Sequence, residues 1–268
     1  MTQARLTIAL GEYDTGWHDP RASLAAAAKL ARSASAVGVD LVVLPEMATT
    51  GFTMDAAQAV TIDSPDVRQL RRMASENGIW LVAGVALREE GVPACSVNAA
   101  LAIDPSGEIA AVHRKQRLFA FGEEDRHYQP GTESTTLDIG GVRLGIFICY
   151  ELRFPEVFAP VAAHVDAMVV IANWPASRQE HWDVLLRARA IENQCYLVGV
   201  NRTGMANGLS YAGGSSVYDP WGERVVTSNA NGGRIVALDA QRVADVRAKY
   251  PFLRDRVVGG ESHAFITG

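Results

Sequence analysis

The chain has 268 residues, a net charge of −5, 48% hydrophobic residues and 21% charged residues. These proportions are typical of a globular protein that can bury a large core. The mild acidity disfavours nucleic acid and anionic membrane surfaces as partners, because both attract clustered lysines and arginines. The longest apolar stretches, such as 165–172, are far too short to cross a bilayer.

The three cysteines, Cys95, Cys149 and Cys195, are spaced too widely for a disulfide framework, and the chain has no CxxC motif. The N-terminal apolar segment is too short for a secretion signal and is typical of a first strand. The six histidines are scattered without the spacing of metal ligands. We therefore expect a cytoplasmic protein without a metal site, in which any unusual cysteine is a reactive thiol.

Strands and helices alternate along the chain. Apolar runs of strand length predict strands at 5–10, 39–44, 79–87, 96–103, 107–112, 142–148, 166–172, 195–201, 214–219, 223–228 and 233–238. Helical spacing, N-cap residues and helix-ending glycines predict helices at 21–37, 65–77, 155–163, 180–194 and 240–249. Turn sequences at 104–107 and 219–222 predict hairpins between neighbouring strands.

The order of these elements predicts an α/β protein with mixed sheets, because hairpins connect some strands and helices connect others. No Ser/Gly-rich linker, charge block or repeat interrupts the chain. We therefore expect residues 1–268 to form a single domain.

Three segments place reactive side chains where predicted strands end. Glu46 follows an apolar strand directly, at the edge of the sheet where α/β proteins bind ligands. Lys115 lies in a basic segment after the strand at 107–112, and Cys149 lies between an apolar strand and a helix. An elbow of this kind projects the sulfur from the sheet edge, and we expect backbone N–H groups and the helix dipole to lower the thiol pKa. Taken singly, a surface glutamate, a solvated basic loop and a buried cysteine explain these residues equally well, and a buried position suits Cys95 and Cys195 better.

The order of these segments resembles the nitrilase superfamily of carbon–nitrogen hydrolases. Its Glu–Lys–Cys triad corresponds here to Glu46 in LPEM, Lys115 in RKQRLF and Cys149 in CYELRFP. A second active-site glutamate precedes a Y-x-P-G turn in the family, which corresponds to Glu124, with Glu123 as the other register. Further similar segments are ANWP at 172–175, RARAIENQ at 187–194, GVNRTG at 199–204 and GGSSVYDPWGE at 213–223.

The resemblance implies a four-layer α-β-β-α sandwich of two mixed sheets. It also implies a homodimer or a higher homo-oligomer, with the helices at 155–163 and 180–194 as the candidate interface. The nucleophile would be Cys149 and the base would be Glu46, whose pKa we expect burial to raise. Lys115 and the Tyr150 backbone N–H would stabilise the oxyanion, and Glu124 would position Lys115 or the amide. This chemistry needs no metal or organic cofactor.

Within the superfamily, the motifs resemble the ω-amidase branch, whose enzymes hydrolyse the terminal amide of α-ketoglutaramate and related dicarboxylate monoamides. That substrate class implies a cationic contact for the far carboxylate. The candidate substrate-binding residues are Arg153, Asn173, Trp174, Arg178 and Arg202.

The segment at 205–213 and the C-terminal residues look individual, so other substrates stay open. The alternatives are a general or stereoselective aliphatic amidase and an N-carbamoyl hydrolase. A true nitrilase is disfavoured because Tyr150, and not tryptophan, follows Cys149. Two alternatives of another kind are a silent family member that acts as a binding subunit and an unrelated thiol hydrolase with a histidine beside Cys149.

Overall fold

Two mixed sheets dominate the computed structural model, which describes residues 4–89, 96–230 and 233–256. The strands, in chain order, are β1 Arg5–Leu10, β2 Leu41–Val43, β3 Trp80–Arg88, β4 Ser96–Ile103, β5 Ile109–Arg114, β6 Thr135–Ile139, β7 Val142–Ile148, β8 Ala167–Ala172, β9 Tyr196–Asn201, β10 Thr203–Ala206, β11 Leu209–Ala212, β12 Ser216–Tyr218, β13 Ser228–Ala230 and β14 Gly233–Asp239. The α-helices are α1 Pro20–Ser35, α2 Pro65–Asn77, α3 Glu124–His127, α4 Pro155–Phe158, α5 Gln179–Asn193 and α6 Ala240–Lys249.

The larger sheet has seven strands in the order β13-β14-β1-β2-β3-β4-β5, and the smaller has five in the order β12-β9-β8-β7-β6. Each sheet has a parallel centre, β1-β2-β3 in one and β7-β8-β9 in the other, and antiparallel strands on either side. A separate hairpin pairs β10 with β11. The parallel strands are apolar on both faces, because each sheet is covered on both sides.

Three apolar cores define the layers. One core lies between the sheets and joins residues such as Ile8 of β1 to residues such as Val169 of β8. A second packs the larger sheet against α1 and α2, and a third packs the smaller sheet against α4 and α5. The order is therefore helices, sheet, sheet, helices, which confirms the predicted four-layer α-β-β-α sandwich.

Several local predictions are confirmed closely. The strand at 142–148 and the helix at 240–249 have the predicted bounds. The second helix begins after Ser64, whose hydroxyl accepts a hydrogen bond from the Val67 N–H, and it ends at Gly78 in the left-handed conformation.

Two local predictions are wrong. The predicted helix at 155–163 is divided into α4 and a 3₁₀ helix at Ala159–His164, because Pro160 has no N–H for an α-helical hydrogen bond. The predicted strand at 223–228 is mostly loop. After the bridge between Tyr218 and Arg224 the chain leaves the smaller sheet and joins the larger one as β13.

The strand β6 and the hairpin β10–β11 have no counterpart in the predicted elements.

Of the two cysteines predicted to be buried, Cys195 is fully buried just before β9, and Cys95 lies outside the described residues. Within the described part of the chain, no helix combines the length and the apolar character that a membrane span requires.

Candidate active site

Four side chains converge where strands from both sheets end. Glu46 follows β2, Lys115 follows β5, Cys149 follows β7 and Asn173 follows β8. The side chains of Glu46 and Lys115 are fully buried, and Asn173 is nearly so. The structure thus brings together Glu46, Lys115 and Cys149, the three residues that the sequence placed at strand ends, and adds Asn173 to them.

Close packing of the Glu46 segment on β3 fixes the position of its carboxyl group. The Ala48 N–H donates to the Gly84 carbonyl, and the Gly84 N–H donates to the Pro45 carbonyl. A Cβ atom at position 84 would lie 2.5 Å from the Glu46 Cα atom. Only glycine at this position lets the Glu46 backbone approach the sheet so closely.

Lys115 lies between two glutamates. Its Nζ atom donates to Glu46 Oε1 at 2.8 Å and to the two Glu124 oxygens at 3.0 and 2.9 Å. Burial opposes the lysine charge, but the Glu124 and Glu46 carboxyl groups raise the Lys115 pKa above its ordinary value. The ammonium is therefore held in a buried position by two acidic partners.

The structure brings Glu124 into the cluster and leaves Glu123 on the surface. The side chain of Glu124 is fully buried at the start of α3, and its Oε2 atom accepts a hydrogen bond from the Phe119 N–H at 2.6 Å. Glu123 is more than half exposed and pairs with Arg126. The register with Glu124 is therefore the one that meets Lys115.

Glu46 receives more hydrogen bonds than the sequence revealed. Besides Lys115, its Oε1 atom accepts from Asn98 Nδ2 at 2.7 Å, and its Oε2 atom accepts from the Asn173 N–H at 2.9 Å. Burial favours the neutral carboxyl group, but the Lys115 charge and these hydrogen bonds outweigh burial and lower the Glu46 pKa. The net shift of this pKa is therefore downward, opposite to the expected direction.

Cys149 occupies a strained elbow. It has a φ of 46°, which is rare for a residue with a side chain, and it begins a 3₁₀ helix at Cys149–Arg153. Burial and the nearby Glu46 carboxyl group raise the Cys149 pKa well above its ordinary value, against the opposing effect of Lys115. The expectation that the helix dipole lowers this pKa is wrong, because burial disfavours the charged thiolate and the Glu46 carboxyl group repels it.

Asn98 is a site residue that the sequence analysis missed. Its Nδ2 atom donates to Glu46 Oε1 and to Glu124 Oε1, at 2.7 and 2.8 Å, so that one amide joins both carboxyl groups. The available signal was an asparagine in strand β4, whose residues are all buried and, apart from Ser96 at its start, otherwise apolar. A buried polar side chain of this kind needs partners, which marks the position.

A second buried pair, Glu151 and His113, binds backbone N–H groups next to two residues of the cluster. The Glu151 side chain accepts hydrogen bonds from the Ile148 N–H at 2.5 Å and from the Gln116 N–H at 2.6 Å. The other partner of Glu151 is His113 Nε2, at 3.1 Å. Ile148 precedes Cys149 and Gln116 follows Lys115, so Glu151 links the segments that carry these two residues.

Lys115, which binds Glu46 and Glu124, lines a cavity of about 470 Å³ together with Cys149 and Asn173. Four of the five candidate substrate-binding residues line it, namely Arg153, Asn173, Trp174 and Arg178, together with Tyr150. Arg202 does not line it, because its guanidinium group is fully buried against Asp14 and lies over the Tyr211 ring.

Two guanidinium groups lie in the cavity wall without an acidic partner. Arg153 lies over the Trp174 ring, with its carbon atom Cζ 4.8 Å from the centroid, and Arg178 lies over the Phe119 ring at 5.7 Å. Within the described residues, neither has a carboxyl group at salt-bridge distance. These groups are therefore available to an anionic part of a ligand.

Two arrangements are absent from the part of the chain that the structure describes. No histidine nitrogen there makes a hydrogen bond to Cys149, and His18, which lines the cavity, contacts Thr53. No group of His, Cys, Asp and Glu side chains in the described ranges has the arrangement of a metal site.

Comparisons of the sequence with known proteins all point to one family. The family model for carbon–nitrogen hydrolases matches residues 7–248. The ω-amidase YafV of Escherichia coli strain K12 is 36% identical over 223 residues, which cover 81% of this chain and 84% of that protein. The 2-oxoglutaramate amidase of Bacillus subtilis strain 168 is 34% identical, with the same coverage of both chains.

Solved structures agree. XC1258 from Xanthomonas campestris, a CN-hydrolase superfamily protein with an arsenic adduct in its active site, aligns with a TM-score of 0.86 and 34% identity over 98% of this chain and 99% of that chain. A mutant amidase from Nesterenkonia sp. AN1, which carries the acetamide moiety of fluoroacetamide on its active-site cysteine, aligns with a TM-score of 0.77 and 26% identity over 95% and 97% of the two chains. The chain therefore belongs to the carbon–nitrogen hydrolase family, within the nitrilase superfamily.

Proposed function

We propose that this protein is an ω-amidase, which hydrolyses the terminal amide of α-ketoglutaramate, succinamate and related monoamides to the acid and ammonia. The observation that carries the proposal is one cavity lined by Lys115, which binds Glu46, by Cys149 and by two guanidinium groups without acidic partners. Support comes from the two relatives named for ω-amidase and 2-oxoglutaramate amidase activity.

In the first half of the proposed reaction, the Cys149 sulfur attacks the amide carbon while the thiol proton moves to Glu46. The carbonyl electron pair moves to oxygen, where Lys115 and the Tyr150 N–H stabilise the negative charge. The carbon–nitrogen bond then breaks, and the proton on Glu46 passes to the departing ammonia. A thioester on Cys149 is left.

In the second half, Glu46 takes a proton from water, and the hydroxide adds to the thioester carbon. The carbon–sulfur bond breaks, the sulfur regains its proton from Glu46, and the acid is released. The lowered pKa of Glu46 and the raised pKa of Cys149 place the proton on the thiol and leave Glu46 as the carboxylate, so the attack of sulfur and the proton transfer to Glu46 occur together.

The remaining polar groups would position the reacting ones. Glu124 and Asn98 hold Lys115 and Glu46, and Asn173 fixes the second Glu46 oxygen. The far carboxylate of the substrate would bind Arg178 or Arg153 at the cavity wall. Trp174 would contact the carbon chain of the substrate. Arg202 is better explained as a buried partner of Asp14.

A general aliphatic amidase is the second candidate, because side chains such as Phe52, Met54 and Trp174 make most of the cavity wall apolar. A silent binding subunit is disfavoured, because it has no need of the buried, hydrogen-bonded Glu46–Lys115–Glu124 cluster. Burying such charges is costly and is retained where chemistry uses them.

The test measures ammonia release from succinamate, α-ketoglutaramate and neutral aliphatic amides of the same length. We expect the monoamides to have the higher kcat/KM and a thioester adduct on Cys149 to be visible by mass spectrometry. Cys149→Ala should lose both signals, whereas Cys195→Ala, at a buried cysteine away from the cavity, should keep them. Full activity of Cys149→Ala would refute the mechanism, and a preference for neutral amides would refute the ω-amidase assignment alone.

We further propose that residues 1–268 belong to one domain, and that the protein is cytoplasmic and forms a homodimer. The family match over residues 7–248 supports the single domain. The exposed apolar side chains Val184 and Ile191 on α5 support a self-association surface there, and sedimentation analysis of the purified protein tests it.

A further inference from the structure

The rim of the active-site cavity exposes large apolar side chains. Phe121 is 89% exposed, and Trp17 and Leu209, which line the same cavity, are also exposed. Large apolar groups gathered at one opening commonly mark a binding surface. Their position around the cavity that contains Cys149 indicates that the ligand of this surface is the substrate.

A row of aromatic rings connects the nucleophile to this rim. The Tyr150 ring, directly after Cys149, meets the Phe119 ring at a centroid distance of 5.0 Å and an interplanar angle of 63°. The Phe119 ring meets the Phe121 ring at 5.8 Å. These are ordinary distances for pairs of aromatic rings, so the three rings form one wall. An aromatic ring of a substrate can pack against this wall in the same way.

This wall is fixed to the catalytic cluster. The Phe119 N–H donates a 2.6 Å hydrogen bond to Glu124, whose two oxygens also accept from Lys115. The wall therefore stands at a set distance from the reacting groups, and a substrate group that packs on it helps to orient the amide.

The cavity is also larger than a short monoamide needs. A volume of about 470 Å³ lies in the range of roughly 300–1,000 Å³ that encloses drug-sized ligands. Succinamate would fill only a small part of it. The guanidinium group of Arg178 lies over the Phe119 ring, so a carboxylate held there places its neighbouring carbon beside the aromatic wall.

We propose that the preferred substrates of this site are monoamides that carry an apolar group, aryl or branched alkyl, on the carbon next to the free carboxylate. This inference rests on the proposed amidase function and adds to it the class of substituent. The carboxylate binds Arg178 or Arg153, the amide lies at Cys149, and the apolar group packs along Phe119 and Phe121.

The test compares kcat/KM for succinamate with that for succinamate bearing a benzyl group on the carbon next to its carboxylate, using ammonia release. We expect the benzyl compound to be better by about tenfold or more, because its phenyl ring is removed from water on the wall. Phe121→Ala should lower the ratio of the two kcat/KM values by at least about threefold, because it removes the exposed end of the wall.

The matched control is Phe252→Ala, which truncates another exposed phenylalanine that does not line the cavity, and it should leave the ratio unchanged. The inference is overturned if the benzyl compound is no better than succinamate, or if Phe121→Ala leaves the ratio as it was. If neither compound releases ammonia, the proposed function itself is refuted. If succinamate has the higher kcat/KM of the two, only the substituent preference is refuted.

Discussion

Removal of the Glu151 side chain should destabilise the protein and weaken catalysis together. In Glu151→Ala, the Ile148 and Gln116 N–H groups lose their acceptor. A buried donor left without a partner costs about 1–3 kcal/mol. Because the Gln116 bond is only partly buried, we expect a total loss of roughly 3 kcal/mol in the free energy of unfolding.

A loss of that size corresponds to a fall of about 6–12 °C in Tm for a domain of this class. Thermal unfolding followed by circular dichroism measures it. Glu151→Gln keeps one acceptor oxygen, so about half of the loss should be recovered. The control is Glu156→Ala, which removes an exposed glutamate 3.7 Å from Arg117 and should change the free energy of unfolding by less than about 0.5 kcal/mol.

Activity provides the second readout for this prediction. Because Glu151 holds the segments of Lys115 and Cys149 together, kcat of Glu151→Ala at a temperature where the variant is folded should fall by about tenfold or more. If Glu151→Ala unfolds at the same temperature as Glu156→Ala, or keeps the kcat of the original protein, the proposed link between the two segments is refuted.

Two further predictions concern the cluster itself. Asn98→Leu conserves volume but removes the amide between Glu46 and Glu124, so kcat for ammonia release should fall by about 100-fold while the protein stays folded; a kcat within twofold of the original would contradict this. Because the Cys149 pKa is raised, its thiolate is scarce at neutral pH. We expect the rate of Cys149 modification by methyl methanethiosulfonate, measured by mass spectrometry, to increase as the pH rises through the ordinary cysteine pKa of 9.0. A rate that is already at its plateau at neutral pH would show that the pKa is lowered instead.

The fold was largely predictable because its buried strands are continuous apolar runs bounded by caps and turns. The strand β8 is an example, since its sequence AMVVIA is apolar and buried throughout. The strand predicted at 223–228 could not be corrected locally, because the transfer of the chain from one sheet to the other depends on distant partners.

The candidate site likewise contains residues that the sequence could predict and residues that it could not. Glu46, Lys115 and Cys149 stand in recognisable motifs, and the structure brings them together. Asn98 has no motif, and its meaning depends on two carboxyl groups that lie far away in sequence. The expected pKa directions of Glu46 and Cys149 were wrong because each was argued from one local cause. For Glu46 the Lys115 charge and hydrogen bonds outweigh burial, and for Cys149 burial acts in the same direction as the summed charge of the cluster.

That summed charge also bears on how the reaction ends. Lys115 is the single cation between Glu46 and Glu124 in the described cluster, so the floor of the cavity has an excess of negative charge. A neutral amide enters this environment without penalty, but the acid formed from it becomes a carboxylate beside two others. Like charges at such short range repel strongly in a buried site. In the proposed reaction we therefore expect the charge of this cluster to speed release of the acid product from the site.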